Sequence, residues 1–252
     1  MTERERSALL ELLDGAGLLR GPEALYLSLP ETVDSSNSEC LRLLRAGAAR
    51  RCLVLAETQT AGRGRQGKRF YSPPGAGLYF SLGYAPAGGL ADAVGVTTYA
   101  AVVTAERIEA LTGLHCGIKW VNDLYLDGKK VCGILAEAEG PYLVLGVGVN
   151  LTASAVPEEL RDIMGWLDRP DIRAPLAAGL AEALLRYRPG DISHMAEYRR
   201  RSTVLGQTVR FTEGGRARTG RAMSIRDDGA LVVRTATGER VLRSGEVSVR
   251  NV

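Results

Sequence analysis

Residues 52–70 read CLVLAETQTAGRGRQGKRF, an apolar run that leads into a loop with three glycines and four cations. The apolar residues 52–56 predict a buried strand, and loops that leave a sheet are where α/β folds bind ligands. Glycines bring backbone N–H groups close to a ligand, and guanidinium groups bind phosphate or carboxylate oxygens two at a time. The stretch therefore predicts a sheet with an anion-binding loop at its edge.

The loop satisfies the glycine spacing of a dinucleotide-binding motif and part of a P-loop, but the residues after it exclude both. Each motif places a helix directly after the loop, and its N-terminus helps to bind phosphate. Here residues 70–77 read FYSPPGAG, which cannot form a helix. The P-loop also requires Ser or Thr where Arg69 stands. A flexible arginine-glycine segment that binds RNA is an alternative, although such segments repeat and this one occurs once.

Patterns on either side of the loop alternate between helix and strand. Apolar spacing predicts helices over 3–20, 38–46, 90–112, 175–187 and 192–201, and strands over 24–29, 78–84 and 142–151. From residue 205, short alternating strands separated by glycine-containing turns predict a small barrel. We expect an α+β protein with a helical extension at 1–24, a main domain at 25–201 and a barrel domain at 202–252.

A hairpin is predicted over residues 117–137, with its turn at Asp127-Gly128. Only four of the 32 basic residues are lysines, at positions 68, 119, 129 and 130. They are candidates for places that need a compact positive charge. Successive side chains of a strand point to opposite faces, so only one of Lys129 and Lys130 can face a site.

Composition narrows the class of protein. The chain has 252 residues, of which 45% are hydrophobic, enough for a large core. A net charge of +3 gives no sign of nucleic-acid binding by the whole chain. No apolar run reaches membrane length and the first residues are too charged for a signal peptide, so we expect a cytoplasmic protein with no membrane partner. Four cysteines without C-x-x-C spacing predict reduced core residues, and a chain with two histidines predicts no histidine metal site.

Four motifs, in order, resemble those of the biotin protein ligases, which adenylate biotin and transfer it to a carrier lysine. They are residues 34–37 (DSSN), residues 57–67, residues 119–123 (KWVND) with 130–134 (KVCGI), and residues 146–150 (GVGVN). The resemblance runs from about residue 26 to the C-terminus, because the barrel resembles the SH3-like domain of that family. Val121 departs from the usual proline, which removes no functional group.

The resemblance implies a mixed sheet with flanking helices, a catalytic domain similar to that of class II synthetases, and the ligands biotin, ATP and Mg²⁺. It implies biotin contacts at Ser35, Ser36, Asn37, Gln59, Gly62, Arg63, Gly64, Arg65, Lys130, Gly133 and Gly146. It implies ATP or adenylate contacts at Arg65, Lys68, Phe70, Asn122, Lys130, Asn150 and Arg250, with Glu246 beside Arg250. No metal-ligating residue is implied. The partner is a biotin carboxyl carrier protein or domain.

Lys130, Arg65 and Asp123 are the catalytic residues that the resemblance implies. Biotin's carboxylate attacks the α-phosphorus of ATP, so cations must offset the repulsion between two anions. In the second step the carrier lysine must lose a proton. Asp123 is either the acceptor of that proton or a carboxylate that positions metal or neighbouring groups, and the sequence leaves both roles open.

Three other functions are weighed against this one. A lipoate ligase of the same fold would carry a histidine-containing glycine-rich segment, and no histidine precedes His115. A nucleic-acid binder built on the barrel would interleave aromatics with cations, and Phe211 is the barrel's one aromatic residue. A ligase that is also a repressor would need a helix-turn-helix domain before Asp34, where 33 residues stand. We therefore expect a ligase that lacks the DNA-binding domain and binds no specific DNA.

Overall fold

A seven-stranded mixed sheet forms the centre of the larger domain. The structure, a computed structural model, describes residues 1–86, 93–153, 156–243, 245 and 247–249. The strands are β1 (Tyr26–Ser28), β2 (Thr32–Val33), β3 (Arg51–Ala56), β4 (Thr58–Gln59), β5 (Gly77–Tyr84), β6 (Gly117–Lys119), β7 (Asp123–Leu126), β8 (Lys129–Glu139) and β9 (Tyr142–Asn150). The sheet order is β1-β3-β5-β9-β8-β7-β6, and only β1 and β3 are parallel. Strands β2 and β4 form a separate parallel pair.

Helices cover both faces of this sheet. They are α1 (Glu3–Gly15), α2 (Ser36–Arg45), α3 (Ala93–Thr112), α4 (Arg173–Leu184) and α5 (Met195–Arg200). Strand β3 is buried on both sides: Leu53 and Leu55 join the large core with α3 and α4, whereas Cys52 and Val54 pack with α2. Burial on both sides explains its unbroken apolar run. The sequence prediction of a mixed sheet with flanking helices is confirmed.

Helix α1 belongs to the packing of the main domain. Thr2 caps it with a reciprocal bond to Glu5, and the helix contacts α4. Its Leu9 and Leu13 are fully buried in the large core. The predicted domain boundary at residue 24 stays a prediction. The helix predicted over 3–20 ends earlier, at Gly15.

Helix α2 begins two residues before the predicted start at Ser38, so Ser36 and Asn37 lie in its first turn. The side chain of Ser35, the N-cap residue, makes no capping bond. Instead, Gln59 Oε1 accepts a hydrogen bond from the backbone N–H of Ser36 at 2.8 Å. A partner 23 residues away therefore satisfies a donor that a local cap would satisfy, and sequence spacing does not reveal it.

The predicted hairpin turn at Asp127-Gly128 is present, with positive φ at both residues. Leu126 pairs with Lys129 and Tyr125 with Lys130, but Leu124 pairs with Cys132. Val131 is therefore an extra residue on β8, a β-bulge. The bulge lets Val131 and Cys132 both be buried, and it brings Lys130 to the same side of the sheet as Gly133.

The C-terminal segment forms a five-stranded antiparallel sheet. Its strands are β10 (Thr208–Glu213), β11 (Arg216–Ile225), β12 (Leu231–Thr235), β13 (Gly238–Leu242) and β14 (Val247–Val249), in the order β13-β12-β11-β10-β14. The first four correspond to strands predicted at residues 207–211, 218–225, 230–235 and 239–243, and β14 lies between Glu246 and Arg250, which the sequence places on one strand face. All four cysteines of the chain are buried and free, as predicted. No described helix has the length and apolarity needed to cross a membrane.

Candidate functional site

The glycine-rich loop, the start of α2 and the middle of β8 and β9 surround a cleft of about 110 Å³. Fourteen predicted site residues line it: Ser35, Ser36, Asn37, Gln59, Arg63, Gly64, Arg65, Lys68, Phe70, Asn122, Asp123, Lys130, Gly133 and Gly146. Segments separated by up to about a hundred residues in sequence therefore meet in one place. Apolar side chains complete the wall, namely Tyr79, Phe80, Ile134, Leu135 and Val147.

One end of the cleft is a network of hydroxyl and amide groups, with the ion pair of Glu137 and Arg63 at its edge. The Oε1 atom of Gln59 accepts from the N–H and hydroxyl of Ser36 at 2.8 and 3.0 Å, and its Nε2 donates to Ser72 Oγ at 2.8 Å. Ser81 Oγ lies 2.8 Å from Ser36 Oγ and 2.6 Å from Asn37 Oδ1. Buried hydroxyl and amide groups held in this way offer both donors and acceptors to a neutral polar ligand. Ser72 and Ser81 were missed, because an isolated serine carries no sequence signal.

Two glycines of β9 leave the space in which this network and the loop pack against the sheet. A Cβ at Gly146 would overlap the amide of Asn37, and a Cβ at Gly148 would overlap the ring of Phe70. From the sequence, glycines at these strand positions predict that a flat ligand can lie against β9. In the structure the groups that approach are Asn37 and Phe70, which bring α2 and the loop against the sheet.

Cationic side chains form the other end of the cleft. Lys130 Nζ lies 2.8 Å from Asp123 Oδ1, and both side chains are about three-quarters buried. Arg65 Nη1 donates to Asn122 Oδ1 at 3.2 Å, and Asn122 Nδ2 donates to the carbonyl of Ile134 at 2.7 Å. These bonds set two cations beside each other at one end of the cleft, an arrangement suited to a ligand with neighbouring anionic groups.

The loop itself is an ordered turn. Gly64 N–H donates to the carbonyl of Lys68 at 2.7 Å, and Phe70 N–H donates to the carbonyl of Gly62 at 2.8 Å. Gly67 has a φ of 74°. Gly62 lines the outer side of the loop, where a Cβ would collide with the carbonyl of Phe70. A single 3₁₀ turn at Arg65–Gly67 is followed by extended chain, which agrees with the exclusion of both helix-dependent phosphate motifs.

Glu57, the first residue of the loop, fixes its base. Its carboxylate lies 2.8 Å from Arg173 of α4 and pairs with the chain's amino group. Burial raises the pKa of Glu57, but these two hydrogen-bonded cations outweigh burial and leave the pKa below its usual value. The ion pairs therefore contribute to stability above the usual carboxyl pKa, and the contribution is lost as pH falls through the lowered pKa.

Glu137 is a site residue that the sequence analysis missed. Its Oε2 accepts from Asn37 Nδ2 at 2.8 Å and from Arg63 Nη2 at 2.7 Å. It thereby connects the loop to the first turn of α2. The available signal was its position on β8, where it shares a strand face with Gly133 and Leu135.

Several predicted residues lie elsewhere. Asn150 is buried outside the cleft, and its Nδ2 donates to the carbonyls of Lys130 and Gly165 at 3.2 and 3.0 Å. Its predicted contact with adenine stays a prediction. Arg250 and Glu246 lie outside the described residues. Lys129 points away from the cleft and donates to the carbonyl of Arg161 at 3.2 Å, as expected for the lysine on the opposite face.

Acidic and metal-ligating groups are sparse around the cleft. Asp123 is the one carboxylate among the described residues of the cleft wall, and Glu137 lies at its margin, bonded to Asn37 and Arg63. Across residues 1–86, 93–153, 156–243, 245 and 247–249, no group of three or more His, Cys, Asp or Glu side chains could hold a metal ion. A divalent cation in the cleft would therefore depend mainly on oxygens that a substrate brings with it.

Comparisons with known proteins agree over nearly the whole chain. The Biotin/lipoate A/B protein ligase family matches residues 31–150, and the Biotin protein ligase C terminal domain matches residues 204–250. The biotin--[acetyl-CoA-carboxylase] ligase of Mycobacterium tuberculosis is 32% identical, covering 98% of each chain. The bifunctional ligase/repressor BirA of Escherichia coli is 30% identical, over 96% of this chain and 79% of that protein. The structure of the biotin protein ligase from Aquifex aeolicus in complex with biotin and ATP aligns with a TM-score of 0.76 and 27% identity, over 90% of this chain and 99% of that one.

Proposed function

This chain belongs to the biotin protein ligase family, and we propose that it converts biotin and ATP to biotinyl-5′-adenylate and transfers the biotinyl group to a carrier lysine. The observation that carries the proposal is the polarity of the cleft. Hydroxyl and amide groups lie at one end, at Ser36 and Asn37, and cations lie at the other, at Arg65 and Lys130. The cation next to Asn37, Arg63, is paired with Glu137. Biotin has the same polarity, with a neutral ureido ring at one end and a carboxylate at the other.

In the first step the carboxylate oxygen of biotin bonds to the α-phosphorus of ATP, and pyrophosphate leaves. Negative charge builds on the phosphoryl oxygens, where Lys130 and Arg65 stabilise it. Lys68 and Phe70 line the same cleft and are proposed to contact the α-phosphate and cover the adenylate. Mg²⁺ would arrive on the phosphates of ATP and offset the charge of the pyrophosphate, with Asp123 as the one cleft carboxylate available to it.

In the second step the amine of a carrier lysine attacks the acyl carbon, the bond from that carbon to the phosphate oxygen breaks and AMP leaves, and the amine proton is released to solvent. We propose that Asp123 acts mainly by positioning Lys130, because its ion pair with Lys130 supports that role over free proton acceptance. The acceptor is a biotin carboxyl carrier protein or domain. The use of ATP and the free thiols of the chain support a cytoplasmic reaction.

Pyrophosphate release tests the proposed substrate. The purified chain with ATP and Mg²⁺ is expected to release pyrophosphate when biotin is added and not when lipoate is added. Biotin transfer to a carrier domain should follow in the same mixture. Release with lipoate alone would make the chain a lipoate ligase and overturn the assignment.

Gly146→Ala is expected to weaken biotin binding by roughly tenfold, because the added methyl group displaces the amide of Asn37 and breaks its hydrogen bonds. ATP affinity should be unchanged. Isothermal titration measures both. Gly179→Ala in α4 is the matched control, since its added carbon would lie at an ordinary 3.4 Å from Arg107 and should leave affinity unaltered. If Gly146→Ala binds biotin with wild-type affinity, the proposed contact between Asn37 and biotin is wrong.

We also propose that helix α1 reads no operator sequence. Its apolar side is occupied by the domain core through Leu9 and Leu13. Fluorescence anisotropy with biotin, ATP and candidate promoter DNA should show only weak, salt-sensitive association. Sequence-specific binding that persists at physiological salt would contradict this proposal.

A further inference from the structure

Trp120 joins the two domains at a point next to the cleft. It lies between β6 and β7 in the loop that carries Asn122 and leads into Asp123, the first residue of β7, and it is 3% exposed. Its indole Nε1 donates to the backbone carbonyl of Gly229 at 2.8 Å. Gly229 lies in the turn between β11 and β12 of the C-terminal sheet. A buried indole N–H requires an acceptor, and here the other domain supplies it.

Helix α5 makes a second connection between the same two segments. Tyr198 is fully buried, and its hydroxyl donates to the carbonyl of Val121 at 3.0 Å. The next residue, Arg199, donates from Nε to the carbonyl of Ile225 at 2.7 Å and pairs with Asp227. One helix therefore holds both the loop at Val121 and the C-terminal turn.

From this loop the contacts run directly into the cationic end of the cleft. The carbonyl of Asn122 accepts from Ile134 N–H at 3.0 Å, and its side-chain oxygen accepts from Arg65. Asp123 pairs with Lys130. The positions of both proposed catalytic cations thus depend on the two residues that follow Trp120 and Val121.

We propose that the C-terminal turn at residues 225–229 is a positioning element for adenylation, and that Trp120 is the positioning residue through which it acts. The inference rests on the proposed function. The C-terminal domain holds the Trp120–Asp123 loop so that Arg65 and Lys130 are aligned before substrates bind. A displacement of reacting groups by about 1 Å can lower a rate up to about a hundredfold, so a modest shift of this loop has a measurable effect.

Two variants test the connection from its two ends. Trp120→Phe keeps an aromatic ring and removes the donor, and Arg199→Ala loosens the C-terminal turn without altering the loop. Each should lower kcat for biotin-dependent pyrophosphate release by roughly tenfold and change the KM for biotin by less than about twofold. Tyr26→Phe, at an exposed aromatic residue of the edge strand β1 that does not line the cleft, is the matched control and should retain wild-type kcat. Because both variants loosen the hold on the same turn, the double variant should lose less activity than the product of the two single losses.

Unchanged kcat in Trp120→Phe, or effects that multiply fully, would overturn the inference. A second readout, independent of activity, is tryptophan fluorescence in the Trp166→Phe variant, where Trp120 is the only tryptophan. Adding Arg199→Ala should shift the Trp120 emission to longer wavelength as its indole becomes hydrated, and an unshifted emission would contradict the connection. If wild-type protein releases no pyrophosphate with biotin, the proposed function fails, and the emission experiment still decides whether the contact couples the two domains.

Discussion

Lys130→Ala is expected to lower the rate of biotin adenylation about a hundredfold, on the order of 3 kcal/mol in activation free energy. The lysine lies in the cleft beside Asp123. The other cations among the described lining residues, Lys68 and three arginines, all belong to the loop. Its removal withdraws a charge from the transition state and leaves Asp123 without its ion-pair partner. Biotin affinity should fall less, because the polar end of the cleft is untouched. Single-turnover pyrophosphate release measures the rate.

Lys129→Ala is the matched control. Lys129 is the adjacent residue on the same strand, but its side chain is exposed and reaches the carbonyl of Arg161. Its adenylation rate should stay within about twofold of wild type. A severe defect in Lys129→Ala with a mild one in Lys130→Ala would mean that the pairing of β7 with β8 is shifted by one residue.

Arg65→Gly is expected to release the adenylate into solution. Arg65 donates to Asn122, so its side chain helps to hold the loop across the cleft. Its loss removes both that contact and a cation beside the acyl phosphate. We expect adenylate to dissociate on the order of a hundredfold faster and to label exposed lysines of bystander proteins indiscriminately. Mass spectrometry of bystander proteins after incubation with biotin and ATP detects this labelling.

Gln66→Gly separates loss of the arginine from loop flexibility. Gln66 is exposed and has a φ of 56°, which glycine adopts without strain. This variant should retain the adenylate as wild type does. Equal bystander labelling by both variants would show that loop flexibility, and not the Arg65 contact, controls retention.

Local chemistry made much of this site predictable. Prolines after the loop excluded a helix there, and the Asp127-Gly128 turn fixed which residues pair across the hairpin. The separation of Lys129 and Lys130 follows from alternation within one strand. Alternation alone, however, would place Lys130 and Gly133 on opposite faces. The extra residue at Val131 reverses this, and bulges of this kind have no firm sequence signature.

Contacts between distant segments were not predictable. Glu137 bonds to Asn37, 100 residues away in sequence, and to Arg63, 74 residues away. Gln59, on another strand, accepts the hydrogen bond from the backbone N–H of Ser36 in the first turn of α2. The resemblance implies that Asn150 contacts adenine; the structure shows its bonds to two distant backbone carbonyls, and the adenine contact stays a prediction. Such partners are set by tertiary packing, which one sequence does not encode in any local pattern.

The central claim is that biotin's carboxylate attacks the α-phosphorus of ATP in this cleft. Biotin whose carboxylate oxygens carry a heavy isotope tests it directly, because that attack leaves one labelled oxygen on the AMP once the biotinyl group has reached the carrier lysine. We expect mass spectrometry of the nucleotide after complete transfer to find AMP with one heavy oxygen. Unlabelled AMP, or ADP as the nucleotide product, would contradict the account.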